Sequence, residues 1–322
     1  MIKALAITGP TASGKTALSI RIAKALGCEI ISCDSMQIYK EMNIGTAKAT
    51  PEEQSEVRHH MIDVLSPEES FSAKAYRDMA LPIAQDIAKR GKIPLFVGGT
   101  GLYLTTLMRN DTSEVPESDP EYRLKLESKI QSEEDKKALH DRLREVDPES
   151  AELIHFNNLR RVIRALEIYD ATGKPKSYFD KLSRLPSDDI ALTHVTLDFR
   201  NRDILYARVE ARVDAMIKEG LVEEVTELLS SGKLDERFTS AQAIGYKEII
   251  RAIKGEVTLD TAVEELKQAT RNYAKRQLTW WRHDESAVRL FVDGEDGRPR
   301  GKDELFAECL SVFKNEINKQ NI

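Results

Sequence analysis

Eight residues near the start of the chain have the types and spacing to hold a phosphate. Gly9-Pro10-Thr11-Ala12-Ser13-Gly14-Lys15-Thr16 follows an apolar run at 4–7 and opens a helical pattern over 17–26. Strand, glycine loop and helix in that order make a phosphate-binding P-loop. Glycines let backbone N–H groups close around phosphate oxygens, and the helix N-terminus adds its positive dipole end. In such a loop Lys15 reaches the terminal phosphate and the Thr16 hydroxyl ligates Mg²⁺. A glycine turn that merely caps a helix needs neither the lysine nor the preceding strand. The loop points to a di- or triphosphate, and by itself names neither the compound nor the reaction.

Two more strand ends carry candidate chemistry. A short apolar run at 28–32 ends in Cys33-Asp34-Ser35, and another at 93–97 opens into Gly98-Gly99-Thr100-Gly101-Leu102-Tyr103. In an open parallel sheet, residues just past the carboxyl ends of the strands line the ligand crevice. Asp34 is therefore expected beside the phosphate loop, as a base, a helix cap or a Walker-type Mg²⁺ ligand. Glycines and a threonine replace the acid that ends a core strand in many P-loop ATPases, which implies close approach of backbone to a ligand. His59-His60 point different ways on a helix or strand and lack a nearby third ligand, so hydrogen-bonded structural histidines are expected. Cys28, Cys33 and Cys309 show no metal-ligand spacing and read as buried or free thiols.

The elements that position these residues follow from the pattern. The stretch 36–50 reads as a loop with a short helix. Residues 72–90 are helical, with Ala75, Met79, Ile83 and Ile87 on one face, Gly91 as the stop, and Pro82 predicting a kink or a break. Composition shifts at 112–120, a polar stretch with two prolines that suits a linker. Beyond it Leu139, Leu143 and Val146 share one helix face, and Leu159, Val162, Ile163 and Leu166 share another. A second polar stretch at 183–189 closes this segment, and 193–199 alternates like a strand. The fold class expected is α/β: a P-loop NTPase-like parallel sheet flanked by helices. Its core spans 1–111 and 191–322, and an all-helical domain is inserted at 112–190.

Charge gives the remaining clues. The chain has 322 residues, 41% hydrophobic and 32% charged, with a formal net charge of −6. That sum argues mildly against non-specific nucleic-acid binding, but a basic face can sit inside an acidic total. Residues 158–184 hold seven Lys/Arg against three acids, including Arg160, Arg161, Arg164 and Arg184. Arg160 and Arg164 are one helical turn apart and share a face. The helix at 206–219 buries Val209, Val213 and Met216, and stacks Arg208 and Arg212 on a separate stripe. Those two arginines can clamp a diphosphate or pair with carboxylates. Residues 266–282 hold five basic side chains and no acid, with Lys267, Arg271, Lys275 and Arg282 on one face. A one-signed stripe of this kind points to phosphates. No apolar stretch is long enough to span a bilayer and no signal peptide is read, so no membrane association and a cytoplasmic, monomeric protein are expected.

Together these segments resemble the bacterial tRNA dimethylallyltransferases, also called tRNA isopentenyltransferases. The matching stretches are GPTASGKT, CDSMQIY, GTAK, HHMID, FVGGTGLY, RRVIRALE, RVEARVDAM, AIGYKE and YAKRQLTWWR, in order along nearly the whole chain. Ala49 and Trp281 depart from the family's commoner Pro and Phe, and the zinc-finger extension of eukaryotic relatives is absent. The resemblance implies transfer of a dimethylallyl group from dimethylallyl diphosphate to N6 of the adenosine just 3′ of the anticodon, with Mg²⁺ as cofactor and tRNA as partner. For that reaction Gly9 to Thr16, with Arg208 or Arg212, would hold the diphosphate and stabilise its growing charge, and Asp34 is the candidate carboxylate to take the proton, with Lys15 and Thr100 beside it. Asp34, Ser35, Met36, Gln37 and Thr100 match residues that contact the adenosine. Arg123 and the run Arg160, Arg161, Val162, Ile163 and Arg164 match residues on the anticodon stem-loop, to which the basic stripe adds Lys275 and Arg282.

Two other readings share parts of this pattern. A P-loop small-molecule or nucleoside kinase would use Asp34 as base for a hydroxyl and ATP as donor, but would not need the basic helices. An RNA-binding protein with the loop as a switch would not need a carboxylate at the loop mouth.

Overall fold

The computed structural model describes residues 1–109, 115–116, 119–183, 187–235 and 237–319. The chain divides into two compact units, 1–107 with 189–322, and 108–188.

The first unit is built on β1 (Ile2–Thr8), whose run from Ala4 to Ile7 is fully apolar and buried. It is followed by α1 (Lys15–Leu26), β2 (Cys28–Ser32), α2 (Pro51–Glu56), β3 (His59–His60), α3 (Ala73–Lys89), β4 (Ile93–Gly98) and α4 (Gly101–Met108). The short helix expected within 36–50 is instead α2, just beyond it; 36–50 itself is turns and irregular chain, with one isolated bridge from Tyr39 to Leu65. α3 runs through Pro82 without a break. His59 Nδ1 donates to Val57 O at 2.7 Å and His60 Nε2 to the Glu29 carboxylate at 2.8 Å, so both rings serve the structure.

The second unit contains α5 (Pro120–Glu127), α6 (Glu133–Val146), α7 (Pro148–Leu153), α8 (Leu159–Thr172) and α9 (Lys176–Leu182). Leu143, Val162, Ala165 and Leu166 are buried together as its core. Most of the expected linker at 112–120 and residues 184–186 of the second polar stretch, Arg184 included, lie outside the described residues.

The first unit then resumes with β5 (Ile190–Asp198), α10 (Arg202–Lys218), α11 (Leu221–Ser230), α12 (Tyr246–Ile253), α13 (Leu259–Arg282), β6 (Val288–Phe291) and α14 (Lys302–Lys319). All six strands are parallel, in the order β3-β2-β4-β1-β5-β6. The alternation expected in β5 is not what burial shows: residues 194–198 are buried throughout, because β5 lies between β1 and β6 and helices cover the sheet. Ile7, Ile22, Leu95, Val195, Leu197 and Phe313 meet in one core. Each such side chain contributes about 2 kcal/mol on burial. Register places Thr8 opposite both Gly98 and Thr196, and Ser32 opposite Val97, so β1, β2 and β4 end at one level. Among the described residues no helix is long and apolar enough to cross a membrane.

Candidate active site

The loop after β1 is bent by local necessity. Gly9 has φ +136°, and a Cβ there would lie 2.7 Å from the Leu197 carbonyl oxygen, so only glycine fits against β5. Ala12 is held at φ +61° at the crest. α1 begins with no side-chain cap, which leaves its first N–H groups to the loop's own concavity. Lys15 Nζ donates to Gly9 O at 3.0 Å and Pro10 O at 2.6 Å. Burial, reinforced by the Arg212 charge and offset by Asp34, lowers the Lys15 ammonium to about 7. An anion in the loop would favour its charged form again. Ser13 Oγ is buried with no hydrogen-bond partner among the described residues.

A cavity of about 780 Å³ opens in front of this loop. Residues 11–17, 34–37, 45–47 and 97–99 line it on the sheet side, and Arg212, Tyr273, Arg276 and Gln277 on the helix side. Val213, Met216, Ile244, Leu266 and Ala269 give it an apolar wall. Asp34 stands at its edge: Oδ1 accepts from Met36 N at 2.9 Å, while Oδ2 has no partner among the described residues. Thr100 Oγ1 accepts from Ser35 N at 3.0 Å, and Thr100 N donates to Cys33 O at 3.1 Å. The loop after β4 thereby carries the loop after β2. Gly98 permits this, since a Cβ there would lie 2.1 Å from Cys33 O. Gln37 accepts from Ser32 Oγ at 3.0 Å and donates to Thr46 O and Ala47 O at 3.3 Å each, so its amide is spent on the 45–47 loop.

A match to the IPP transferase family model covers residues 37–284. The chain belongs to that family. A tRNA dimethylallyltransferase of Thermoanaerobacter sp. (strain X514) is 45% identical over 98% of this chain and 99% of its own length. One from Geobacillus thermodenitrificans is 48% identical over 87% and 88%. Among solved structures, the tRNA isopentenylpyrophosphate transferase of Bacillus halodurans is 40% identical, covers all of both chains and superposes with a TM-score of 0.70. A eukaryotic dimethylallyltransferase acting on tRNA is 30% identical over 90% of this chain and 74% of its own, with a TM-score of 0.75.

Within this IPP transferase fold the two arginines of α10 separate. Arg212 lines the cavity. Arg208, expected beside it on the diphosphate, donates from Nε to Ala12 O at 2.8 Å, and its Nη2 would lie 3.4 Å from a Cβ on Gly14 of the phosphate loop. The expected basic stripe on α13 is largely neutralised. Lys267 pairs with Asp214 at 2.8 Å and Arg271 with Glu210, tying α13 to α10. Arg282, expected on RNA, spends its guanidinium on Asp198 at 2.8 Å and on Phe199 O at 2.9 Å. Lys275 and Arg276 stay exposed, the latter 5.6 Å from the Tyr273 ring.

In the second unit the expected RNA-contacting run also divides. Val162 and Ile163 are buried and cannot touch RNA with their side chains. Arg123 and Arg164 converge on Glu167 Oε2 at 2.9 and 2.6 Å, and hold that buried carboxyl below its usual range against the cost of burial. Arg160 and Arg161 are exposed and pair with no carboxylate among the described residues. Helical periodicity separates the two sets: 162, 163 and 166 face the core while 160 and 161 do not.

Two site-forming residues escaped the sequence reading. Gln277 is buried in the cavity wall beside Tyr273, one turn away; an amide four residues from a tyrosine in the acid-free stretch 266–282 was the available signal. Glu224 accepts from the backbone N–H groups of Asn43, Ile44 and Gly45 at 2.9, 2.8 and 3.2 Å and from Tyr246 Oη at 2.6 Å. That carboxylate shapes the 43–47 loop, and nothing in its local pattern marked it.

Proposed function

We propose that the chain transfers a dimethylallyl group from dimethylallyl diphosphate to N6 of the adenosine just 3′ of a tRNA anticodon, releasing diphosphate. The observation that carries this is one cavity in which a phosphate loop, a carboxylate and an apolar wall meet. The diphosphate suits the loop, and the five-carbon chain suits Val213, Met216 and Leu266. The relatives' shared name, tRNA dimethylallyltransferase, supports this reading over a kinase.

The chemistry follows from the residues. The N6 lone pair attacks the allylic C1, a C–N bond forms, and the C1–O bond breaks with its electrons passing to the diphosphate. Lys15, Arg212 and the loop N–H groups stabilise that growing negative charge. The N6 lone pair is delocalised into the purine, so a base that accepts its proton helps, and Asp34 Oδ2 takes it. The adenine must leave its stack to reach the cavity. Thr100 and Ser35 hold the loop that carries Asp34.

Mg²⁺ fits the donors present. Such ions are commonly held by one or two protein oxygens plus substrate phosphates. Thr16 lines the cavity at the phosphate loop, and Ser13 Oγ is an orphaned polar atom in the same loop. When bound, the ion would neutralise charge on the leaving diphosphate. In the second unit, Arg160 and Arg161 would hold the phosphates of the anticodon stem-loop.

The test is a single incubation with two labelled donors. Label passing from dimethylallyl diphosphate to an anticodon stem-loop, and lost when the target adenosine becomes guanosine, is the expected result. Label passing only from ATP would replace this reading with a kinase.

A further inference from the structure

Gln277 joins the two loops that the reaction must bring together. Its Oε1 accepts from Thr11 N in the phosphate loop at 2.8 Å, and its Nε2 donates to Gly99 O at 3.0 Å. Thr11 lies just past β1 and Gly99 just past β4, and these strands are neighbours. Only one orientation of the amide satisfies both bonds, because one partner is a donor and the other an acceptor. The residue after Gly99 is Thr100, which receives the Ser35 N–H and so carries the loop of Asp34. A single buried amide, 5% exposed, thus spans the diphosphate side and the acceptor side of the cavity.

The approach is close by construction. A Cβ on Gly99 would lie 2.1 Å from Gln277 Nε2, so glycine at 99 is what admits the amide. The helix that presents it is itself fixed: Leu278 and Trp281 are buried, and Arg282 is pinned to Asp198 and Phe199 O. A side chain locked on a rigid element sets distances more tightly than one on a loop.

We infer that Gln277 is a positioning residue: it fixes the spacing between the prenyl donor held by the phosphate loop and the acceptor base held beside Asp34. This rests on the transferase reading above. A positioning role and a purely structural one differ in what they move. Misplacing reacting groups by about 1 Å costs on the order of a hundred-fold in rate. It leaves each substrate's own contacts in place.

The experiment compares wild type, Gln277→Leu and Gln277→Glu in steady-state transfer from dimethylallyl diphosphate to an anticodon stem-loop, with thermal melting of each. Leucine removes both bonds. Glutamate keeps an acceptor for Thr11 N and sets an oxygen against Gly99 O. For Gln277→Leu we expect kcat to fall about a hundred-fold, with both KM values within about threefold of wild type. Gln277→Glu is expected to fall less and to recover towards acid pH, where a protonated carboxyl can donate to Gly99 O. A wild-type kcat in either variant overturns the inference, as does a rise in one KM with kcat unchanged. If Gln277→Leu fails to melt cooperatively, the Gln277→Glu pH profile decides: acid recovery supports positioning and a profile parallel to wild type overturns it. No transfer by the wild type would instead overturn the function on which the inference rests.

Discussion

Arg208 Nε donates to the Ala12 carbonyl oxygen at 2.8 Å, so an arginine of α10 braces the crest of the phosphate loop. Arg212, one turn further along α10, is the one that faces the cavity. Burial lowers the pKa of both guanidinium groups, which stay charged. The two should therefore respond differently to alanine. A charge-assisted hydrogen bond contributes roughly 1.5–3 kcal/mol, so Arg212→Ala should weaken dimethylallyl diphosphate binding roughly ten- to a hundred-fold. Arg208→Ala should weaken it less and lower the melting temperature more. Calorimetric affinities for the two variants check this. An equal loss of affinity, with no loss of stability in Arg208→Ala, would put Arg208 on the ligand after all.

Asp34→Asn is a clean probe of the proton acceptor. Asparagine keeps an Oδ1 to accept from Met36 N, so the turn after β2 should persist. It removes the carboxylate that takes the N6 proton. General-base contributions run to about 10²–10⁴-fold, and kcat should fall by that order with the affinity for the anticodon stem-loop unchanged. Single-turnover rates with saturating RNA measure it. Wild-type turnover in the variant would leave Asp34 as an orienting group only.

Much of this site is legible in the residues, and the reason is local. The phosphate loop, Asp34 and the glycines after β4 each sit at the end of an apolar run, and the parallel-sheet rule carries them to one crevice. What is not legible is pairwise. Arg282 and Lys267 look like one basic stripe until Asp198 and Asp214, far away in sequence, neutralise them. Glu224 shapes a loop some 180 residues away, and no period along the chain encodes that partnership. Pro82 failed as a break signal because helical packing around α3 outweighs one lost hydrogen bond. Alternation failed in β5 because a strand inside a covered parallel sheet has no wet face.

Glu29 should govern acid stability. Its buried carboxylate, 2% exposed, accepts from Arg90 Nη1 and Nη2, Lys92 Nζ and His60 Nε2 at 2.5, 2.7, 2.9 and 2.8 Å. Arg90 above all, with His60 and Lys92, holds it well below the usual carboxylate range despite burial. The folded pKa is thus lower than the unfolded value near 4.5, so the stabilisation is complete above that pH and is lost as pH falls further. Glu29→Gln should destabilise the fold at neutral pH, because it removes the buried anion on which Arg90, Lys92 and His60 converge. The gap to wild type should narrow as acid protonates Glu29. Urea midpoints of both proteins from neutral to acid pH test this, and a gap that is constant across the range would refute it.

The insertion offers the sharpest separation of binding from folding. Arg160 and Arg161 are exposed at the start of α8, whereas Arg123 and Arg164 are committed to the buried Glu167 carboxylate. Neutralising an arginine on an RNA phosphate lowers the dependence of log affinity on log salt by about one unit of slope. Arg160→Ala and Arg161→Ala should each show that loss, with weaker binding of the anticodon stem-loop and an unchanged melting curve. Arg123→Ala and Arg164→Ala should instead lower the melting temperature, because each leaves Glu167 buried with one fewer cation. Removing a partner from a buried ion pair is strongly destabilising, by up to about 3–5 kcal/mol; half-exposed Arg123 should sit at the low end. Filter-binding affinities at a series of salt concentrations, alongside thermal melts of the full chain, distinguish the two pairs. Should Arg160→Ala and Arg161→Ala bind RNA with the wild-type salt slope, the phosphate contacts must be sought elsewhere, first at Lys275 and Arg276.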